Sequence, residues 1–290
     1  MKVNEEWILN EIVRLARESD GNRMLELDGS IIFEEPLVGF CPGDDPFFEE
    51  LKTIIGEFHL TPIEIMERCC AAEGIPIPDR SEVGVISYVL PIAGPTRYEN
   101  AMMRDFPSER WSHTRLFGEM FNRSLQENVV SSLRENGMTA FAPELEEHFS
   151  IIQDEDVGWA STWSQRHVAF ACGLGTFGIS DGLITAKGKA HRLGSVVVNM
   201  SFLPPERPDD IHAGCLFFQN GGCMACAKRC PVGAITENGH DKQKCSDFVC
   251  CETPKGIRER YGIEEYACGL CQTGVPCEHC DPVKREAVDE

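Results

Sequence analysis

Basic residues are scarce in this chain of 290. Only 27 Lys and Arg stand against 47 Asp and Glu, a formal charge of −20. That deficit excludes a nucleic-acid binder whose affinity rests on neutralising phosphates, and it argues against docking on an anionic membrane surface. Long apolar runs are lacking too: no stretch approaches the ~18 residues needed to span a bilayer. The opening residues, Met-Lys-Val-Asn-Glu-Glu-Trp, hold no basic n-region, twin arginine or apolar h-region. No export signal is therefore expected, and a cytoplasmic location is. There is no solenoid-type repeat and no low-complexity tract. With 42% hydrophobic and 26% charged residues, the composition is that of a folded globular chain of one large domain or two ordinary ones.

What is abundant is cysteine. Of 15 in all, 11 (Cys215, Cys223, Cys226, Cys230, Cys245, Cys250, Cys251, Cys268, Cys271, Cys277 and Cys280) fall in the last 76 residues, where even scattering would put about four. Without export, a disulfide framework explains such crowding poorly and metal ligation explains it better.

The first two thirds carry regular patterns. Residues 5–17 place Ile8, Ile12, Leu15 and Ala16 on one helical face. Asp45-Pro46 opens a predicted helix over Phe47–Phe58, and Thr61-Pro62-Ile63-Glu64 is a capping box for another that ends near Gly74. Val83–Leu90 is dominated by strand formers. A long helical stripe follows from about His113 to Glu135, stopped by Gly137, and then a short strand over Met138–Ala142. Strand, long helix, strand is the rhythm of a βαβ unit, so this region reads as α/β. A helix over Trp163–Cys172 and strands over Gly182–Ala186 and Ser195–Met200 complete it. The proline-rich break Leu203-Pro204-Pro205-Glu206-Arg207-Pro208 marks the expected boundary between an α/β domain (1–205) and a small ferredoxin-like α+β module (206–290). The latter has little apolar periodicity and should be organised by what its cysteines hold.

Cys223-Met-Ala-Cys226-Ala-Lys-Arg-Cys230-Pro231 carries the C-x2-C-x3-C-P ending of a bacterial ferredoxin run. Closely spaced thiolates on a tight loop reach several irons of one cubane, while the cysteine before proline turns away to a second cluster. The usual first cysteine would stand at Asn220. Cys215, across a loop that Gly221 and Gly222 allow, is the substitute. By this logic one 4Fe-4S cluster takes Cys215, Cys223, Cys226 and Cys277, and another takes Cys230, Cys245, Cys268 and Cys271. Cys250, Cys251 and Cys280 are left over, and any of them could replace a weaker assignment. Zinc competes through Cys268-x2-Cys271-x5-Cys277-x2-Cys280, but that spacer is far below the ~15–20 residues of a zinc ribbon. Clusters serving only as staples are the other alternative.

The stretch Gln165-Arg166-His167-Val168-Ala169-Phe170-Ala171-Cys172-Gly173-Leu174-Gly175-Thr176-Phe177-Gly178, followed by Gly182-Leu183-Ile184-Thr185, resembles the central motif of epoxyqueuosine reductases and reductive dehalogenases. Lys244-Cys245 and Tyr266-Ala-Cys268-x2-Cys271-Gln272 resemble their ferredoxin modules, and the likeness runs over roughly residues 80–285. It implies an α/β domain that holds cobalamin base-off beside two 4Fe-4S clusters, which feed it electrons. On that reading Arg166, Gly173, Gly175 and Gly178 bind the cofactor, the glycines allowing close approach of backbone to a planar ligand. The bland reading is a helix C-cap and loop glycines with no ligand. Because the motif follows a helix rather than a strand, a dinucleotide fingerprint is not expected.

Three departures set the chain apart from those families. Trp159 stands where epoxyqueuosine reductases carry their proton-donating aspartate. The chain ends ten residues after Cys280, without the helical-repeat extension that helps hold tRNA, and it shows no export signal like that of the respiratory dehalogenases. Asp210-Ile-His212-Ala-Gly214 falls one residue short of the D-x-H-x-x-G cobalt-ligand pattern, so His212 reads as a loop histidine. Candidate proton donors are Asp156, His167, Tyr98 and His113, with Arg166 as an anion clamp. No residue earns a catalytic assignment from sequence. The expectation is an iron-sulfur oxidoreductase feeding electrons to a bound corrinoid or small-molecule substrate. The alternative is a redox partner protein, or a reactivator of a corrinoid protein, with no substrate of its own. No nucleic acid and no membrane is expected as partner.

Overall fold

The computed structural model describes residues 3–289. Helix α1 (Glu5–Glu18) starts at Asn4, whose side chain accepts from the Trp7 N–H, and its Ile8, Ile12 and Ala16 are buried as the stripe predicts. Strand β1 (Leu37–Pro42), α2 (Phe47–Ile54) and α3 (Pro62–Glu73) follow. The capping box forms at Thr61 and Glu64, and α3 ends at Gly74 in the left-handed conformation. Next come β2 (Gly84–Pro91), α4 (Gly94–Met102), α5 (Glu109–Glu135) and β3 (Ala140–Phe141). The hairpin β4 (Ile151–Asp154) and β5 (Gly158–Ser161) leads to α6 (Gln165–Ala171). The hairpin β6 (Gly175–Phe177) and β7 (Leu183–Thr185) leads to β8 (His191–Val198).

The main sheet has the order β1-β2-β8-β3, and every neighbouring pair is antiparallel. The βαβ expectation is met in a split form. Strands β2 and β3 flank α5 and run parallel to each other, but β8 lies between them and pairs with both. Each central strand is buried on both faces, which is why VGVISYVL reads as an unbroken apolar run rather than an alternating one. Val85 and Val89 of β2 face α2, α3 and α6, while Ile86, Tyr88 and Leu90 face α1 and α5. The result is a three-layer body.

Beyond Leu203 the elements are short. They are α7 (Leu216–Asn220), α8 (Ala225–Arg229), the hairpin β9 (Ile235–Thr236) and β10 (Gly239–His240), α9 (Lys242–Ser246), a π-helical turn (Asp247–Glu252), α10 (Thr253–Tyr261) and α11 (Pro282–Asp289). This region is stitched to the sheet body by polar contacts. The Arg229 guanidinium donates to the carbonyls of Leu270, Thr273, Met103 and Asn100, tying α8 to α4. The backbone N–H groups of Lys189 and Ala190, just before β8, donate to the carbonyls of Cys277 and Glu278. Side chain Asn100 bridges Thr273 and the Ser108 N–H. Buried polar groups joined in this way fix the relative position of the two regions more tightly than apolar contact alone.

Candidate functional site

Folding sorts eight cysteines into two groups of four. Cys215, Cys223, Cys226 and Cys277 line one small cavity together with Ile179 and Lys189. Cys230, Cys245, Cys268 and Cys271 line the wall of a larger cavity of about 450 Å³. The local cause is the run around α8: Cys223 and Cys226 face the first group, and the chain turns at Cys230-Pro231 to put Cys230 in the second. Cys250, Cys251 and Cys280 line neither cavity. Cys250 and Cys251 are exposed, and the Cys280 thiol points at the Pro276 carbonyl.

Thiols packed this way suit a multinuclear centre. Burial, then the neighbouring thiolates, push Cys245 up to about 12. Burial also raises Cys268 to about 12 and Cys277 to about 11, with adjacent cysteines adding to it. Half-buried thiols raised in this way, such as Cys245, Cys268 and Cys277, become thiolates most readily around a cation, which neutralises them as it binds. Among the described residues no three His, Cys, Asp or Glu side chains are placed to surround a single metal ion. The four cysteines of the zinc reading are moreover divided, with Cys268 and Cys271 in one group and Cys277 in the other. A cubane needs the wider arrangement, since each thiolate binds a different iron.

Between the two groups lies Lys189, 3% exposed. Its ammonium donates to Ser180 Oγ at 2.9 Å. Burial by itself would lower its pKa, yet the thiolates of Cys277, Cys271, Cys226 and Cys215 carry it above the usual lysine value. One side chain thus feels both groups.

The larger cavity is walled by cations in a strongly acidic protein. Arg166, Arg192, Arg115 and Lys189 all line it, beside His191. Of these, Arg166, Arg192 and Lys189 make no ion pair within 4 Å among the described residues. Arg166 donates instead to the Asp181 carbonyl, at a residue held in the left-handed conformation with φ 55°. The Asp181 carboxylate meets His240 Nδ1 at 3.1 Å. Arg192 is held down to about 10 by burial and then by Arg115, and its Nε has no partner. His191 Nε2 donates to the Leu183 carbonyl at 2.8 Å, and burial lowers it to about 4, so it is neutral at pH 7. Arg115 pairs with Glu119 at 3.5 Å and lies over the Tyr266 ring, 4.5 Å from its centroid. Glu144, on the turn Pro143–Leu145 after β3, reaches the same cavity.

Of the residues singled out from sequence, Arg166 reaches this cavity and the three motif glycines do not. A Cβ at Gly173 (φ +71°) would meet the Glu206 carbonyl oxygen at 2.8 Å, and one at Gly175 would meet the Ile184 carbonyl oxygen at 2.4 Å. A Cβ at Gly178 would press on Ile184 at 3.2 Å. A side chain at any of the three positions would thus press on the chain itself, while Gly173 is exposed and Gly178 lines the smaller cavity. The cavity has the size of a small-molecule site (about 300–1,000 Å³ for drug-sized ligands). The residues present fit iron-sulfur clusters.

The four candidate proton donors lie elsewhere. Asp156 is exposed in the β4–β5 turn, and Tyr98 is 70% exposed. His113 stacks on Phe117. His167 bonds Ser164 Oγ through Nδ1 at 2.8 Å and is lowered to about 3 by burial, so it is neutral. His212 donates through Nδ1 to the Phe177 carbonyl at 2.9 Å and stacks on Phe218, a loop histidine. Sequence reasoning missed Glu144, Lys189, His191 and Arg192. None belongs to a motif, and a cation pair such as His191-Arg192 reads from sequence as a solvated strand end.

No protein-family profile matches the chain. It is 34% identical over 118 residues to the epoxyqueuosine reductase of Bacillus cereus, a stretch covering 39% of this chain and 29% of that one. The chain thus matches less than a third of that relative's length. In three dimensions it is similar to a reductive dehalogenase whose structure bears on B12-dependent dehalogenation, with a TM-score of 0.52 at 14% identity over 87% of this chain and 31% of that one. A catabolic reductive dehalogenase matches with a TM-score of 0.51 at 17% identity, over 98% of this chain and 38% of that one. The chain is a relative of epoxyqueuosine reductases by sequence, and it shares its mixed helix-and-sheet fold with reductive dehalogenases.

Proposed function

We propose that the protein is an iron-sulfur oxidoreductase with two 4Fe-4S clusters, one held by Cys215, Cys223, Cys226 and Cys277 and the other by Cys230, Cys245, Cys268 and Cys271. Electrons from an external low-potential donor pass through residues 206–290 to a small molecule in the cavity beneath the sheet body. The observation that carries this reading is the division of eight buried or half-buried cysteines into two groups of four. Similarity to epoxyqueuosine reductases supports it. The cationic walls favour a substrate with negative charge, and a formal charge of −20 on the whole chain disfavours nucleic acid. The second reading, a redox partner without its own substrate, rests on Trp159 at the position of the proton-donating aspartate, where this side chain is 38% exposed on β5.

The test is anaerobic reconstitution followed by iron and sulfide analysis and low-temperature EPR of the dithionite-reduced protein. About eight irons per chain and magnetically coupled cluster signals are expected. Cys226→Ala and Cys271→Ala should each remove one cluster and leave the other. A single zinc per chain, or full iron content in both variants, would overturn the assignment. A base-off cobalt spectrum on adding cob(II)alamin would make a corrinoid the electron acceptor, and an unchanged free spectrum would leave the small molecule in that role. Turnover of a substrate without a partner protein separates the first reading from the second.

A further inference from the structure

We propose that Glu144 is the proton donor of the cavity, a carboxylic acid kept in its protonated form by its buried place beside the amides of Gln126 and Gln165. This rests on the reading of the cavity as a reduction site. Three observations carry it, the first of which is position. Glu144 sits on the turn that follows β3 and lines the same cavity as Cys230, Cys245, Cys268 and Cys271. The second is hydrogen bonding. Gln126 Oε1 and Gln165 Oε1 are buried acceptors without a donor, and Gln165 Nε2 is a buried donor without an acceptor. Both amides lie beside the Glu144 carboxyl. A carboxylate can satisfy only the amide nitrogen, whereas a carboxylic acid can also donate its O–H to one of the orphaned oxygens.

The third is the absence of a counter-ion, since Glu144 makes no ion pair among the described residues. The charged groups around it come from several elements. Glu119 and Arg123 act from α5. Arg115 of the same helix, Arg166 at the start of α6 and His191 and Arg192 on β8 line the cavity with it. Burial raises its pKa first, Glu119 adds to the rise, and the amides of Gln165 and Gln126 with Arg123 hold it back, leaving it at about 7. An acid of that strength can be both protonated and reprotonated at neutral pH, which is what turnover requires.

The chemistry balances as follows. Reduction of one substrate bond takes two electrons, delivered singly from a low-potential protein donor of the ferredoxin or flavodoxin class. Glu144 passes its Oε proton to the substrate atom that gains the electron pair and becomes a carboxylate. A second proton comes from solvent, or is not needed where an anion leaves. Water at the cavity mouth returns the proton to Glu144.

Two measurements on the full chain test this. In the protein as isolated, infrared difference spectra across a pH titration should show a protonated carboxyl band disappearing near pH 7 in the wild type. The band should be absent in Glu144→Gln and shifted but present in Glu144→Asp. In the reconstituted protein, the midpoint potential of the cavity-side cluster should fall as pH rises through 7, and Glu144→Gln should flatten that dependence. Loss of the pH dependence in Glu144→Gln with retained cluster signals supports the proposal. A wild type with no carboxyl titrating above pH 6, or a variant that keeps the full pH dependence, overturns it. Absence of clusters from the wild type would instead remove the functional reading, and the infrared titration would still decide whether Glu144 is an acid at neutral pH.

Discussion

The sheet body and the cysteine region hold together by different physics. Around β2 and β8, layers of Val, Ile, Leu and Phe are removed from water on both faces of the sheet, and burial of apolar area is the main stabilising term. After Leu203 a small core cluster joins Cys226, Ile235 and Val275 to Ile179, and most elements span five residues or fewer. Helices that short are not stable by propensity. Ile257, Ile263 and Ala267 join the core of the sheet body, and the rest of the region is arranged around two local groups of thiols and the Arg229 guanidinium. One region is thus held mainly by its apolar core, and the other is expected to depend on what its thiols bind.

The largest effect that would sharpen this contrast is metal removal. Protein stripped of iron should be cut by protease within residues 206–290, leaving a resistant fragment of the sheet body with its far-UV CD largely intact. Equal cleavage in both regions would break the comparison. Conversely, Leu51→Ala, at a fully buried position on α2, should cost about 2–5 kcal/mol in denaturant unfolding without altering cluster content. The stitching between the regions should matter next. Arg229→Met leaves four carbonyls without their shared donor, and a loss of about 2 kcal/mol is expected, read as faster hydrogen exchange in α4 and α8. Smallest in free energy is Lys189→Met. It removes a buried cation that feels cysteines of both groups, so both cluster potentials should fall, by roughly 60 mV for a tenfold change in a one-electron equilibrium. Potentiometric EPR would show it, and a shift confined to one cluster would mean that Lys189 does not bridge the two.

The sign of the Glu144 contribution to stability follows from its raised pKa. Its ordinary value is 4.5 and its folded value about 7. The native state therefore binds more protons between those limits, and stability falls as pH rises from 4.5 to 7. Glu144→Gln should remove that part of the slope, a change of about 3 kcal/mol at neutral pH. Chemical denaturation at several pH values measures it, and an unchanged slope would show that the carboxyl is not held in its acid form.

Local chemistry made much of the fold legible. The capping box at Thr61 and Glu64, Gly74 at the end of α3, and the apolar stripe of α5 all read directly, because they depend on near neighbours in the chain. Helix α2 stops at Ile54 rather than Phe58, since Gly56 takes a φ of +143° that breaks the helix. Strand β1 escaped notice because Gly39 and Pro42 interrupt its pattern. As an edge strand it tolerates both, and Gly39 is required where its backbone passes Cys172. The insertion of β8 between β2 and β3 was likewise beyond reach, because pairing across a hundred residues leaves no mark in local spacing.

The separation of the thiols is written into local spacing: Cys223-x2-Cys226-x3-Cys230-Pro231 puts Cys223 and Cys226 beside one cavity and Cys230 beside the other, because a few residues of chain limit geometry directly. The rest of the site exists only in the folded molecule. Lys189 between the thiol groups, the unpaired Arg192, and Glu144 among unsatisfied amides are brought together from separate elements. Their chemistry comes from burial, from lost water and from charges distant in the chain, none of which exists until the molecule has folded.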